Sequence, residues 1–242
     1  MVQKTMWVRL PPSAQKNKMS AQRLPDKNFD WAPDLAYVIG LITTDGSLSK
    51  DKRHIVFTSS DIGLIKTFKK CLKLTNSITK NPLSSTSQRQ SFRIQFGNVQ
   101  FYNWLVRIGL SHNKTFKLEN ILIPDKFFPD FLRGHLDGDG SIITYTDYYN
   151  TDKNPKYIYQ RLMIYLMSAS KNHLIWLQNN IKKLKNIHGA FQIRKPLFRK
   201  NSYYVLKFSK KESISLLNWI YYKKKLPCLK RKYQIAKEFL KN

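Results

Sequence analysis

The chain has 242 residues, enough for one large or two small domains, and 42% hydrophobic with 13% aromatic residues supply a proper core. Lys and Arg number 43 against 15 Asp and Glu, a formal charge of +28 spread over the whole chain, which points to a polyanionic partner. Nucleic acid is the first candidate, ahead of an acidic membrane surface or a ribosome. The longest apolar run, Leu35 to Ile42, falls short of the roughly 18 residues of a spanning helix, so no membrane role is expected. Trp7-Val8 runs directly into Arg9 and a proline pair, unlike a secretory signal. Cys71 and Cys228 lie far apart beside lysines, without zinc spacing, and read as reduced thiols of an intracellular protein.

Residues 1–31 are polar and basic, broken by Pro11-Pro12 and Pro25, and read as an extended N-terminal arm. Pro33-Asp34 then starts a helix that Gly46 stops. Ser47 to Lys50 and Arg53 to Ser59 form a hairpin turned at Lys50-Asp51-Lys52. From Asp61 or Ser60 as cap, Ile62, Leu64, Ile65, Phe68, Cys71 and Leu72 recur at helical spacing. Ser91 to Phe96 alternates, with Phe92, Ile94 and Phe96 on a core face and Ser91, Arg93 and Gln95 on a polar, cationic one. A helix from Asn98 to about Ile108 contains Asn103-Trp104-Leu105.

After a connector at 111–129, the plan begins again. A second helix ends at Gly140, and strands follow at about 141–148 and 158–168 around a polar loop. Lys171 to Leu184 is helical, Ala190 to Arg194 and Tyr203 to Phe208 form a hairpin, and helices follow at Glu212 to Tyr222 and Cys228 to Leu240. Tyr204, Leu206 and Phe208 share one strand face, and Tyr203, Val205 and Lys207 the other. The two Asn-Trp pairs lie 218 − 103 = 115 residues apart, so the second copy is the longer, with its extra length expected in the longer hairpin. The expected class is α+β: two αββαββα halves, over 32–110 and 130–242, stacked on their first helices. Their antiparallel sheets would form a saddle whose outward side chains are the polar, cationic ones.

The helix ends carry the chemistry. Leu35-Ala36-Tyr37-Val38-Ile39-Gly40-Leu41-Ile42-Thr43-Thr44-Asp45-Gly46 and Leu132-Arg133-Gly134-His135-Leu136-Asp137-Gly138-Asp139-Gly140 share one design, with their final acids 139 − 45 = 94 residues apart. Each acid falls where unpaired helix carbonyls disfavour a carboxylate. One Asp-Gly pair is commonly just a helix stop, but two call for a shared cation. Gly40 and Thr44, like Gly134 and Gly138, put small residues four apart on one helix face, where two backbones can approach. Parallel packing would bring both carboxylates to one end, where Mg²⁺ could be held by carboxylates, neighbouring carbonyls and water.

At these residues the chain resembles the LAGLIDADG homing endonucleases, in the single-chain form with two motif copies. The second copy matches better; in the first, Thr43 stands where the pattern usually has its first acid. The resemblance implies that Asp45 and Asp139 are catalytic metal ligands, that Thr44 and Gly138 add carbonyl oxygens, and that Asp137 plays a helix-end or supporting role. It also implies a lysine near the metal in each half. Lys114 and Lys232 are the counterparts, with Lys230 or Arg231 as alternatives for the second. The implied activity is Mg²⁺-dependent hydrolysis of both strands of a DNA duplex across the minor groove, leaving 3′ overhangs. Mn²⁺ would substitute, and Ca²⁺ would support binding alone. Of the histidines, none is placed as a general base, and His135 reads as structural.

Arg93, Gln95, Gln192, Arg194 and Lys207 are the candidate readers of bases in the major groove, because their strand parity opposes the apolar residues. Two-motif chains are expected to act as monomers. The alternatives are a maturase-like protein binding intron RNA and a non-cutting DNA-binding protein of the same fold. With Met1 and Asn242 leaving no room for a flanking splicing domain, an intein-embedded form is not expected. The composition separates neither a bacterial cytoplasm from an organelle nor an intron-encoded gene from a free-standing one.

Overall fold

The structure is a computed structural model describing residues 28–83, 90–195 and 202–240. Helix α1 (Pro33–Asp45) leads into strands β1 (Gly46–Leu48) and β2 (His54–Ser59), helix α2 (Ile62–Cys71), strands β3 (Ile78–Lys80) and β4 (Phe92–Gly97), and helix α3 (Val99–Arg107). Two short 3₁₀ turns span the connection to α4 (Phe128–Asp139). Then come β5 (Ser141–Asp147), β6 (Tyr159–Ser168), α5 (Lys171–Lys185), β7 (Ala190–Arg194), β8 (Tyr203–Phe208), α6 (Lys210–Ile220) and α7 (Lys230–Lys237).

The two antiparallel four-stranded sheets have the same topology, β1-β2-β4-β3 and β5-β6-β8-β7. In the first, Ile55, Phe57, Ile94 and Phe96 are buried on one face, stacked on Phe68 of α2. In the second, Leu162, Ile164, Leu166, Leu206 and Phe208 are buried opposite α5 and α6. Local signals fix these elements. The Asp61 and Asn98 side chains accept the third backbone N–H of α2 and α3, and Ser170 caps α5 in the same way. Most of the second copy's extra length lies in its hairpin, whose strands have seven and ten residues against three and six; α5 is also longer than α2, 15 residues against ten.

Three details depart from the sequence reading. Strand β3, which the αββαββα plan requires beside β4, was not located in the sequence: it pairs only its three residues with β4, too few to show alternation. Residues 1–27 of the expected arm lie outside the described residues, but its last part is packed, with Phe29 5.1 Å from the ring of Phe101 and Trp31 5.2 Å from that of Trp104. Third, the outward face of the second sheet is only in part the polar, cationic one expected. Beside Arg161, Gln192, Arg194 and Lys207 it presents Ile143, Tyr145, Met163, Tyr165 and Met167, with Val205 buried among them.

Candidate active site

Helices α1 and α4 pack in parallel at the centre of the molecule. A Cβ on Gly134 would lie 2.0 Å from the Tyr37 carbonyl oxygen, and one on Gly40 would lie 2.2 Å from that of Phe131. Only glycine permits this approach, and it carries the two chains forward in register: a Cβ on Gly138 would lie 1.9 Å from Thr44 Oγ1 and 3.1 Å from Asp45 Oδ2. The Asp45 carboxylate therefore lies against the end of the opposite motif helix. Gly46 and Gly140 turn the chain out of each helix directly into β1 and β5, so both acids stand where the two sheets begin.

Each helix end also receives a buried lysine. Lys114 Nζ donates to the Gly46 carbonyl. Lys232 Nζ donates to the carbonyls of Leu136 at 2.6 Å, Asp137 at 2.8 Å and Gly140 at 2.6 Å. Gly46 and Gly140 are equivalent positions, so the lysines are related by the internal duplication. Of the neighbouring cations, Lys230 and Arg231 are exposed, and Lys232 is the one that reaches the motif. Ammonium groups here satisfy carbonyls that the helices leave unpaired.

Burial moves all four groups away from their ordinary ionisation, and the acids and lysines pull one another partly back. Burial, then repulsion from Asp139, pushes Asp45 up to about 6 against the opposing lysines. Burial raises Asp139 as well, although its edge stays open to solvent, which is the access a ligand needs. Burial lowers Lys114 and Lys232 to about 8, opposed by the acids. Two carboxylates desolvated side by side, with backbone carbonyls around them, form a donor set for a hard divalent cation. Among the described residues no cluster of three or more His, Cys, Asp or Glu exists, so protein carboxylates alone would leave much of the shell open. That fits Mg²⁺, which keeps waters and takes phosphate oxygens beside one or two carboxylates. Beside Asp45 a concavity of about 200 Å³ is lined by Thr44, Ser47, Ser111, Asn113, Lys114 and Thr115.

Asp137 is buried and points away from this opening. Its Oδ2 accepts from Tyr37 Oη at 2.8 Å and from the Leu229 N–H at 2.7 Å, tying α4 to α1 and to the segment before α7. In the first copy Thr43 closes on its own helix, donating to the Ile39 carbonyl at 2.7 Å, so no buried carboxylate is needed there. Arg133 is a positioning residue that sequence reasoning passed over. Fully buried, it donates to the Ile220 carbonyl at 2.7 Å, the Pro227 carbonyl at 2.9 Å and Asp130 at 2.7 Å. It thereby holds the loop that delivers Lys232. An arginine three residues after an aspartate on a motif helix was the available signal.

Two of the histidines belong to the core, one on α4 and one on α5. His135 and His173 are buried with rings 5.3 Å apart, and burial pushes His135 well below its usual range and His173 to about 4. His112 Nδ1 pairs with the Leu48 carbonyl, and His54 with exposed Asp51.

The candidate base readers share the outward sheet faces. Arg93 and Gln95 are exposed on β4, with Arg93 donating to Thr79 Oγ1 at 3.3 Å. Gln192 and Arg194 lie on β7, bonded to each other at 3.0 Å, and Lys207 is half-buried on β8. Arg161 joins them on the second face, ion-paired to Asp147 at 2.8 Å. It lies within a strand whose period-two signal is hidden by apolar residues on both sides.

Two duplicated halves, meeting on glycine-packed helices that end in paired acids, define a class. Residues 32–109 match the family described as LAGLIDADG-like domain. The fold is similar to the I-WcaI homing endonuclease bound to its DNA recognition sequence, at TM-score 0.57 and 16% identity over 88% of this chain and 89% of that one. It is similar to the I-LtrWI LAGLIDADG homing endonuclease bound to target DNA, at TM-score 0.56 and 15% identity over 85% and 89% of the two chains. The full-length DUF199/WhiA protein from Thermatoga maritima matches at TM-score 0.51 and 18% identity over 87% of this chain, which spans only 63% of that one. No curated protein sequence matches the chain. Residues 32–109 are thus a LAGLIDADG-like domain, and the chain as a whole shares the fold of these homing endonucleases, with the motif design present in both halves. Among the described residues no helix is long and apolar enough to cross a membrane.

Proposed function

We propose that the protein is a site-specific double-strand DNA endonuclease. The observation that carries this reading is the pairing of Asp45 and Asp139 at one end of two parallel helices, each beside a buried lysine, between two sheets. Asp45 and Asp139 would hold Mg²⁺, with the carbonyls of Thr44 and Gly138 available as further oxygens. When bound, the ion would acidify a water and stabilise the leaving 3′ oxygen. The protein's own groups do the rest. Lys114 and Lys232 place positive charge next to the scissile phosphates, where charge develops on the pentacoordinate phosphorus. The carbonyls of Gly46 and Gly140 fix those ammonium groups, so they need little reorganisation as the phosphate reacts. Neutral, buried His135 and His173 leave water activation to the metal site.

The +28 charge would hold the duplex backbone, and the sheet faces would read its major groove, Arg93 and Gln95 on the first and Gln192, Arg194 and Lys207 on the second. One chain carries both motifs, so a monomer would cut both strands, across the minor groove and with 3′ overhangs. An intron-encoded gene and a cytoplasmic or organellar setting belong to this reading.

Selecting duplexes from a randomised library in Ca²⁺, then adding Mg²⁺ and sequencing the ends, tests it. Discrete ends with a fixed 3′ overhang are expected. Enrichment without cutting would replace the proposal with a non-cutting DNA-binding protein. No enrichment would point to the maturase-like alternative, an intron RNA binder.

A further inference from the structure

The two sheets have the same topology but unlike outward faces. On the first, cross-strand neighbours are Ser47, Val56 and Gln95 in one row and Thr58, Arg93 and Thr79 in the next. Apart from Val56, these are hydroxyl, amide and guanidinium groups, suited to the donors and acceptors of base edges. On the second, the rows run from the motif outward as Ser141–Tyr165–Lys207, Ile143–Met163 and Tyr145–Arg161. Met167 and Val205 form a further apolar pair, and the polar side chains Gln192 and Arg194 stand beyond it on β7, at the opposite edge of the sheet from Ile143 and Tyr145. Ile143 is 45% exposed and Tyr145 48%, while Leu162, Ile164 and Leu166 on the opposite face are fully buried. Arg161, a cation at the end of this strip farthest from the motif, is already engaged by Asp147.

An exposed apolar strip on a sheet calls for something to cover it. Its occupant is indicated by two features. The strip grows directly out of Asp139 through Gly140 and β5, so a substrate reaching the acids must run along it. The chain carries +28 formal charge, which favours a polyanion there over an apolar protein. Within a duplex, the apolar group offered in the major groove is the C5-methyl of thymine.

We propose that the second sheet reads a thymine-rich half-site by methyl contact, through Ile143, Met163 and Met167 flanked by Tyr145 and Tyr165. The first sheet reads its half-site by hydrogen bonds from Arg93 and Gln95. This rests on the DNA-binding reading above and adds to it an asymmetry between half-sites. Polar contacts discriminate sharply where one partner is left unpaired, whereas methyl contacts discriminate more weakly. Where this strip meets it, the second half-site is therefore the more tolerant of substitution, apart from its thymines, and sharper reading there is confined to the bases facing Gln192, Arg194 and Lys207.

Replacing thymine by deoxyuridine removes the methyl and leaves every base-pairing and groove hydrogen-bonding atom in place, which makes it the test. In a duplex selected by the full chain in Ca²⁺, thymines are replaced in one half-site at a time and Kd is measured. In one half-site the affinity should fall by about fourfold for each contacted methyl. In the other it should change less than twofold. The double variant Ile143→Ala, Met163→Ala should bind more weakly but lose the deoxyuridine effect, while Arg93→Ala should keep it. That pairing also reveals which half-site faces which sheet. Equal losses in both half-sites, or no loss in either, would overturn the proposal while leaving DNA binding intact. So would a deoxyuridine effect that survives the double variant. A selection that enriches no duplex would overturn the DNA-binding reading itself. Methyl-insensitive binding together with a doubled mass in solution, abolished by Ile143→Arg, would show that a second copy covers the strip instead.

Discussion

Gly134→Ala probes the link between helix packing and chemistry. A Cβ there would lie 2.0 Å from the Tyr37 carbonyl oxygen, 3.0 Å from the Tyr37 carbonyl carbon and 3.2 Å from Gly40 Cα. Real Cβ contacts stop at about 3.0 Å, so the seam must open by at least about 1 Å (3.0 − 2.0). The obstacle is backbone on both sides, which no rotamer can relieve. Overpacking costs roughly 1–3 kcal/mol, and this site belongs at the upper end; the better helix propensity of alanine returns up to about 1 kcal/mol. A net loss of about 2–3 kcal/mol should lower Tm by roughly 5–10 °C in a chain of this size. The same movement separates Asp45 from Gly138, so Ca²⁺ affinity should fall as well. The control is Gly97→Ala, where the nearest atoms are side-chain tips of Arg53 and His54 at 3.2 Å; stability there should change by less than about 1 kcal/mol. Thermal unfolding by circular dichroism, with calcium titration on the same samples, gives both numbers. A Gly134→Ala protein as stable as wild type, or no worse than Gly97→Ala, would refute the packing argument.

Asp137→Ala leaves the Tyr37 hydroxyl and the Leu229 N–H unpaired in the core and should cost about 2–4 kcal/mol in urea unfolding, whereas Asp137→Asn keeps one acceptor oxygen for both and should cost less than half of that. Arg133→Met strands buried Asp130 and should destabilise by about 3–5 kcal/mol, and the double change with Asp130→Leu should recover part of the loss. Metal binding should follow Asp45. With its carboxyl held up at about 6, protons compete with Ca²⁺ below that pH and affinity should drop roughly tenfold per pH unit, while a carboxylate of ordinary pKa would hold it to about pH 4. The raised value also means that the folded state binds this proton more tightly than the unfolded one. Its contribution to metal-free stability is therefore largest below about pH 4 and is lost as pH rises through 6, a slope that Asp45→Asn should flatten.

The motif helices were legible because three independent signals coincide: an apolar run, small residues four apart, and an acid placed against the helix dipole just before a stopping glycine. Duplication then made the second copy a check on the first. Lys114 and Lys232 were identifiable by resemblance, but sequence could not choose among Lys230, Arg231 and Lys232, because burial decides it and three adjacent cations look alike. Strand β4 showed its faces, since Phe92, Ile94 and Phe96 alternate with polar residues. Strand β6 did not, because Leu162-Met163-Ile164-Tyr165-Leu166-Met167 is apolar on both faces, and the outward strip was missed for that reason. Strand β3 is too short for any period to appear. The role of Asp137 needed tertiary structure, because both of its donors are about 100 residues away or nearly so: Tyr37 at a separation of 100 and Leu229 at 92.

In the proposed reaction Asp45 and Asp139 together hold the cation used to cut the duplex. Its most direct measurement is cleavage of the selected duplex in Mg²⁺ by the wild type, Asp45→Asn and Asp139→Asn, with binding followed in parallel in Ca²⁺. Each single change should reduce cutting of both strands by on the order of 10³-fold or more, while duplex affinity stays within about threefold. Either variant cutting at a rate near that of the wild type would contradict the shared two-carboxylate site.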